Sequence, residues 1–236
     1  MSIALLIFAH GGNEAWKKQV RESLKSLERL FPTRIVFSDE LDEVGDIVSL
    51  MEEKAEKIFV FPLFISRSKF IQKIKRILGD RESIIFYSED FPLCNEEVAK
   101  VLAQRAFEKC GECANILIVA HGSIDDEDNE LLIQKIEDIS IFLKKLGFKK
   151  IDISTIRDDS PDEIRKKATE DFYKKAKSAD LILPFFLAKG ETLKKLEKIL
   201  GEEHKSKLAR PLLPSKRIVR LIENEVRRVG EEIRKI

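Results

Sequence analysis

Short apolar runs alternate along this chain with longer stretches in which apolar residues recur every three or four positions. The first half runs from "ALLIFA" at Ala4 through a helical pattern over Glu14–Leu30 to "RIVFS" at Arg34–Ser38. A second helical pattern over Glu43–Glu56 then leads to "KIFVFPLF" at Lys57–Phe64. The second half repeats the order: "NILIVA" from Asn115, a helical pattern over Glu127–Leu146, "KIDIST" at Lys150–Thr155, Pro161–Lys177, and "DLILPFFL" at Asp180–Leu187. Each half adds a further helix (Lys69–Leu78; Thr192–Leu200), a short strand (Ser83–Tyr87; Lys207–Arg210) and a closing helix (Asn95–Lys109; Ser215–Arg234). Apolar strands alternating with amphipathic helices predict parallel sheets covered on both faces. The fold class is therefore α/β, with a parallel four-stranded sheet flanked by helices in each of two similar domains. The expected boundary lies near Glu112, giving domains of residues 1–112 and 113–236.

The opening strands of the two halves end alike, on His10-Gly11-Gly12 and on His121-Gly122-Ser123. In open parallel sheets, ligands bind beyond the carboxyl ends of the strands, near a switch in strand order. Glycines followed by a helix start leave backbone N–H groups facing that crevice, which favours an anionic ligand. Two histidines in matched positions, in a chain with 3 histidines in all, point to a site. The third, His204, stands in the polar stretch "EEHKSK" and reads as exposed and incidental. Trp16, in the first helix, reads as core packing rather than as a ligand wall.

Composition narrows the partners. With 43 Lys+Arg against 42 Asp+Glu the net charge is +1, so no global field favours nucleic acid or an anionic membrane. No apolar run is long enough for a bilayer, and the opening residues lack the pattern of a signal peptide; the expectation is a cytoplasmic protein. Charged residues make up 36% of the chain, with Lys, Glu and Ile prominent, as in heat-adapted proteins. The 3 cysteines do not form a secreted disulfide framework. Cys110 and Cys113 in "CGEC" have the spacing of a zinc, iron–sulfur or redox pair, but only Cys94 remains as a further thiolate. Small residues at a helix end are the stronger reading, with an intramolecular disulfide the other possibility in a heat-adapted protein.

The halves match beyond their histidines. "FPLFISRS" (Phe61–Ser68) corresponds to "LPFFLAKG" (Leu183–Gly190), and "FPLCNEEVAKVLAQR" from Phe91 to "RPLLPSKRIVRLIENEV" from Arg210. On these motifs the chain resembles the CbiX-type class II chelatases, the cobalt and nickel sirohydrochlorin chelatases of cobalamin and coenzyme F430 synthesis. The resemblance covers nearly the whole chain and implies two flavodoxin-like, chelatase-like domains. The second half carries His121, Gly122, Ser123, Asn129, Pro184, Phe186, Leu187 and Gly190 of the family pattern. The first half carries His10, Gly11, Pro62, Leu63 and Phe64, but has Gly12 for the serine, Lys18 for the asparagine and Ser68 for the loop glycine. Phe70 and Thr192 occupy the positions of the family's second histidine, which both halves lack.

The resemblance implies a lyase that inserts divalent cobalt, nickel or iron, as substrate, into a sirohydrochlorin-type tetrapyrrole held in a cleft between the halves. No organic cofactor is expected. Neutral imidazole suits such borderline cations and also serves as a base. His10 and His121 are thus the candidate catalytic residues, and with Glu191, the carboxylate nearest the vacated position, the candidate metal ligands. Gly11, Gly12, Gly122, Ser123, Asn129, Ser66, Arg67, Lys189 and Gly190 are the candidate contacts to the polycarboxylate ring. Loss of the second histidine leaves a competing reading: a chelatase-fold protein without catalysis that carries a tetrapyrrole or metal, or serves as an interaction partner. Duplication makes one chain equivalent to a dimer of half-length relatives, so a monomer is expected.

Overall fold

Runs rich in Ile, Val, Leu and Phe extend because branched and aromatic side chains fit a pleated, buried surface. In the computed structural model, which describes residues 2–66, 69–87, 91–111 and 115–235, every strand is parallel to its neighbours. In chain order the first half forms β1 (Ile3–Ala9), α1 (Glu14–Leu24), β2 (Thr33–Phe37), α2 (Val44–Glu52), β3 (Lys57–Leu63), α3 (Lys69–Leu78), β4 (Ile84–Phe86) and α4 (Glu96–Cys110). The second half forms β5 (Asn115–His121), α5 (Asp126–Lys145), β6 (Lys150–Ile156), α6 (Asp162–Ser178), β7 (Leu181–Phe185), α7 (Glu191–Lys205) and α8 (Lys216–Ile233). Asn13, Asn95, Asp125 and Ser215 cap α1, α4, α5 and α8 by accepting from backbone N–H groups of the first turn. The pattern over Glu14–Leu30 resolves into α1 and a tighter turn at Lys25–Arg29.

The first sheet has the order β2-β1-β3-β4 and the second β6-β5-β7. In both, the opening strand sits between the next two, so the strand order reverses beside it. That is the switch point where doubly wound sheets bind ligands. The sheets bury their apolar faces under helices, with Leu6, Phe8, Val60 and Phe64 in one core and Leu117, Val119, Phe172 and Leu196 in the other.

The second sheet has three strands, not the expected four. Lys207–Arg210 reaches β7 only through one bridge, Ile182 to Leu208, held by the Ile182 N–H on the Lys207 carbonyl and the Ala209 N–H on the Ile182 carbonyl, each 2.9 Å. The next rung would need N–H groups from residues 184 and 211, and both are prolines, which have none. In the first sheet Val60 still offers its N–H and carbonyl before Pro62, and β4 forms.

The compact units do not divide at Glu112, which itself lies outside the described residues. One unit comprises Met1–Leu93 with Pro214–Ile236, the other Cys94–Leu213. The closing helices are exchanged: α4 lies against α5 and β7, whereas α8 lies against β1. Arg105 ties α4 to its unit by donating to the carbonyls of Pro211 and Leu212 at 3.0 and 2.7 Å. Gly230 lets α8 approach β1, since a Cβ there would lie 2.9 Å from the Ile3 Cδ1.

Two single residues also differ from expectation. His204 is buried, not exposed, because α7 continues past a kink at Gly201 and turns the imidazole toward Tyr173, 6.3 Å between ring centroids. Trp16 is half-buried rather than core: its ring lies under Gly12, 3.2 Å from where a Cβ would stand, and edge-on to Phe37. Among the described residues no helix is long and apolar enough to cross a membrane. Cys94 keeps its thiol and Cys110 is disulfide-bonded; Cys113 lies outside the described residues.

Candidate functional site

In the first unit β1 ends at Ala9, and His10 begins the loop to α1. Its exposed imidazole meets two phenyl rings edge-on, Phe64 at 5.3 Å and Phe70 at 5.4 Å between centroids. The Gly11 N–H donates to Ser38 Oγ at 2.7 Å, and a Cβ at Gly11 would lie 2.8 Å from Asp39 Oδ1. Only glycine admits so close an approach from the β2 end. Gly12 lies over Trp16, Ser66 is half-buried in the loop after β3, and Arg67 is outside the described residues.

Behind this loop stands a cation that the strand-end pattern did not reveal. Lys17 is 6% exposed at its side chain, with its Nζ 2.8 Å from Asp39, 2.9 Å from Glu40 and 3.6 Å from Glu14. Hydrogen bonds to Asp39 and then to Glu40 hold its ammonium above the ordinary lysine range. The same bond from Lys17 holds the Asp39 carboxyl below its usual value, against a smaller opposing effect of burial. Lys18, at the family's asparagine position, points instead to Glu22 on its own helix at 3.8 Å.

The second unit keeps the asparagine and uses it. His121 is the last residue of β5, paired with Ile156 of β6. The Gly122 N–H donates to the Ile156 carbonyl at 2.8 Å, and the Ser123 N–H to Asn129 Oδ1 at 3.3 Å. Asn129 is buried against this turn so tightly that a Cβ on Gly122 would collide with its Oδ1 and lie 2.9 Å from Arg157 and Thr155. Arg157, just past β6, donates to the Ser123 and Ile124 carbonyls at 2.7 Å each and pairs with Asp126 at 2.6 Å. The turn after His121 is thus fixed from two sides. Its imidazole Nε2 stands 3.8 Å from Asp159 Oδ2. Beside Asp159, Ser160 Oγ is buried with no hydrogen-bond partner among the described residues.

The loop from β7 to α7 carries three of the candidate residues. Lys189 pairs with Glu197 at 3.5 Å, Gly190 caps α7, and Glu191 is held by Lys194 at 2.7 Å, a bond that keeps its carboxyl below the ordinary range. Among the described residues no three His, Cys, Asp or Glu side chains gather as a metal-binding group. What strand-end motifs missed is Ser38, Asp39, Arg157 and Asp159. A signal existed: the second strand of each half ends in a polar cluster, "SDE" at Ser38–Glu40 and "RDDS" at Arg157–Ser160. Adjacent strand ends in a 2-1-3 order meet at the site.

Both units together have the class II chelatase-type fold: parallel sheets with the opening strand at the switch point and a histidine at its carboxyl end. Solved structures with this fold match the chain over most of its length. SirB from Bacillus subtilis, in a structure with Fe3+, is 18% identical, with a TM-score of 0.72 and coverage of 96% of this chain and 95% of that one. CbiX, described as the terminal enzyme for biosynthesis of siroheme in denitrifying bacteria, is 15% identical at a TM-score of 0.59, covering 96% and 98%. DR2241 from Deinococcus radiodurans, a multi-domain protein with structural similarity to chelatases, is 13% identical at 0.62, covering 94% of this chain and 54% of that one. No family model matches the chain, and no curated protein sequence does either.

Proposed function

We propose that the protein inserts a divalent cation, cobalt, nickel or iron, into a sirohydrochlorin-type tetrapyrrole, with the chemistry centred on His121. The observation that carries this reading is the His121 imidazole at the end of β5 with the Asp159 carboxylate 3.8 Å away, on a class II chelatase-type fold. A nitrogen and an oxygen donor suit a borderline cation. Two protein donors leave coordination positions open, which fits an ion that must be released to the ring. Metallation displaces two pyrrole protons, and an imidazole beside a carboxylate is a suitable acceptor. Asp159 here takes the part the sequence offered to Glu191, which is committed to Lys194. The Ser123 hydroxyl would meet a carboxylate of the ring, since the Gly122 and Ser123 N–H groups already donate to the Ile156 carbonyl and Asn129 Oδ1, and Lys189 pairs with Glu197.

A second reading is favoured by one observation in the first unit. The ring beside His10 is Phe70, so that half has an aromatic wall where the family pattern has a second imidazole. Such a half suits holding a flat ring rather than a metal, and a protein built on it alone would carry a tetrapyrrole without metallating it. A spectrophotometric titration with sirohydrochlorin, followed by Co2+, Ni2+ or Fe2+, separates the readings. Insertion faster than the protein-free control and lost in His121→Ala supports the chelatase. Ring binding with no acceleration supports the carrier, and an unchanged spectrum sinks both.

A further inference from the structure

The second unit contains a pocket of about 470 Å³ that has no part in the histidine turn. It lies along the edge of the sheet where Lys207–Arg210 meets β7, walled by the last turns of α4 and by α7. Its apolar lining is Leu193, Leu208, Ala209 and Pro211, and around these stand Arg105, Lys109, Lys189, Lys205 and Arg210 against two carboxylates, Glu108 and Glu197. Among the described lining residues five cations stand against two carboxylates, in a chain whose net charge is +1.

The cations are built in rather than scattered. Arg105 is 2% exposed at its side chain, and its guanidinium is fixed by the carbonyls of Pro211 and Leu212. Arg210 reaches the same place from the other wall and grips Glu108 with two bonds, at 2.9 and 2.8 Å, while Arg105 contacts that carboxylate at 3.3 Å. Glu108 thus lies between two guanidinium groups, both held beside an apolar floor. Burial first, and then the proximity of Arg210, push the Arg105 pKa down, as expected where like charges are kept together. An incoming anion would be attracted by both guanidinium groups.

We propose that this pocket binds an organic polyanion: a small molecule with two or more carboxylate or phosphoryl groups on an apolar frame. The volume is that of small-molecule sites, which are mainly apolar with a few oriented polar groups. Paired guanidinium groups match the planar oxygens of carboxylate and phosphoryl alike, so the shared chemistry is the oxyanion. Lys109 and Lys205 at the rim supply attraction that salt should screen.

Calorimetric titration of the whole protein with trimesate, a benzene ring bearing three carboxylates, and with hydroquinone bisphosphate tests this and identifies the oxyanion. Binding of either probe, weakened by salt, is the expected result. The Lys109→Gln/Lys205→Gln protein should bind at least about tenfold more weakly, the equivalent of about 1.4 kcal/mol, with an unchanged melting temperature. His121→Ala should bind as wild type. No binding of either probe, equal binding by the rim variant, or loss in His121→Ala would each overturn the proposal.

Discussion

The Phe70 ring stands edge-on to the His10 imidazole, with centroids 5.4 Å apart and planes at 83°. Two imidazoles at that separation could share one cation, whereas a phenyl ring offers none of the nitrogen donors such an ion needs. Phe70→His should therefore create a metal site in the first unit. Titration with Co2+, followed by its visible absorption, should show binding at least about tenfold tighter than wild type. Unchanged affinity would mean that the loops hold the rings in an orientation unsuited to sharing an ion.

His121 has the Asp159 carboxylate at 3.8 Å, and His10 has the Phe64 and Phe70 rings beside it, so the two histidines have different surroundings. His121→Ala should abolish metal insertion, and Asp159→Asn, which keeps the shape but removes the charge of the second donor, should slow it by at least about tenfold, the equivalent of about 1.4 kcal/mol in the barrier. His10→Ala should retain most of the activity while weakening ring binding. Initial rates and ring affinity measured separately decide this, and equal rate losses from both histidine variants would refute the asymmetry.

Gly122 is closed in by Asn129, Arg157 and Thr155, so a methyl group there must displace the turn that carries His121. Gly122→Ala should cost about 1–3 kcal/mol, the usual range for overpacking, and should lower activity as well. Gly45 in α2 is the control, because nothing lies within 4 Å of where a Cβ would stand. Gly45→Ala should stabilise by about 0.5–1 kcal/mol through helix propensity. Thermal melts of the two variants should move in opposite directions.

The Lys17 network predicts a pH dependence at both ends of the scale. Asp39 has a depressed pKa in the folded state, so its contribution is present above the unfolded carboxylate value of about 3.9 and is lost as pH falls through the lower folded value. Lys17 has a raised pKa, so its contribution is complete below the unfolded value of about 10.4 and is lost as pH rises through the folded one. Lys17→Met should lower stability at neutral pH and flatten both arms. Denaturant melts from acid to alkaline pH would show this, and a variant curve parallel to wild type would mean that the ion pairs contribute nothing.

Much of the fold is legible in periodicity. The runs at Lys57 and Lys150 form β3 and β6, and Lys69–Leu78 forms α3, because in each the apolar spacing fits a single backbone geometry. The expected fourth strand of the second sheet, at Lys207–Arg210, fails. Its residues are compatible with a strand, but extension depends on N–H groups that Pro184 and Pro211 lack, and the partners of a ladder are not local information. The histidine turns are legible as the ends of apolar runs followed by glycine. Asp159 and Arg157 are legible only as part of a polar cluster after a strand; their place beside the His121 turn is not, because it follows from which strands are neighbours.

By itself the sequence determined that the chain is α/β, that it is internally duplicated, and that a histidine closes the opening strand of each half. These follow from short-range sterics and from the need to bury one face of every element. Only the tertiary structure decided which helix covers which sheet, which polar group meets each histidine, and where a charged pocket forms. The apolar stripe of α4 or α8 requires burial against something without specifying what. That choice is made by shape and by long-range bonds such as Arg105 to the carbonyls of Pro211 and Leu212.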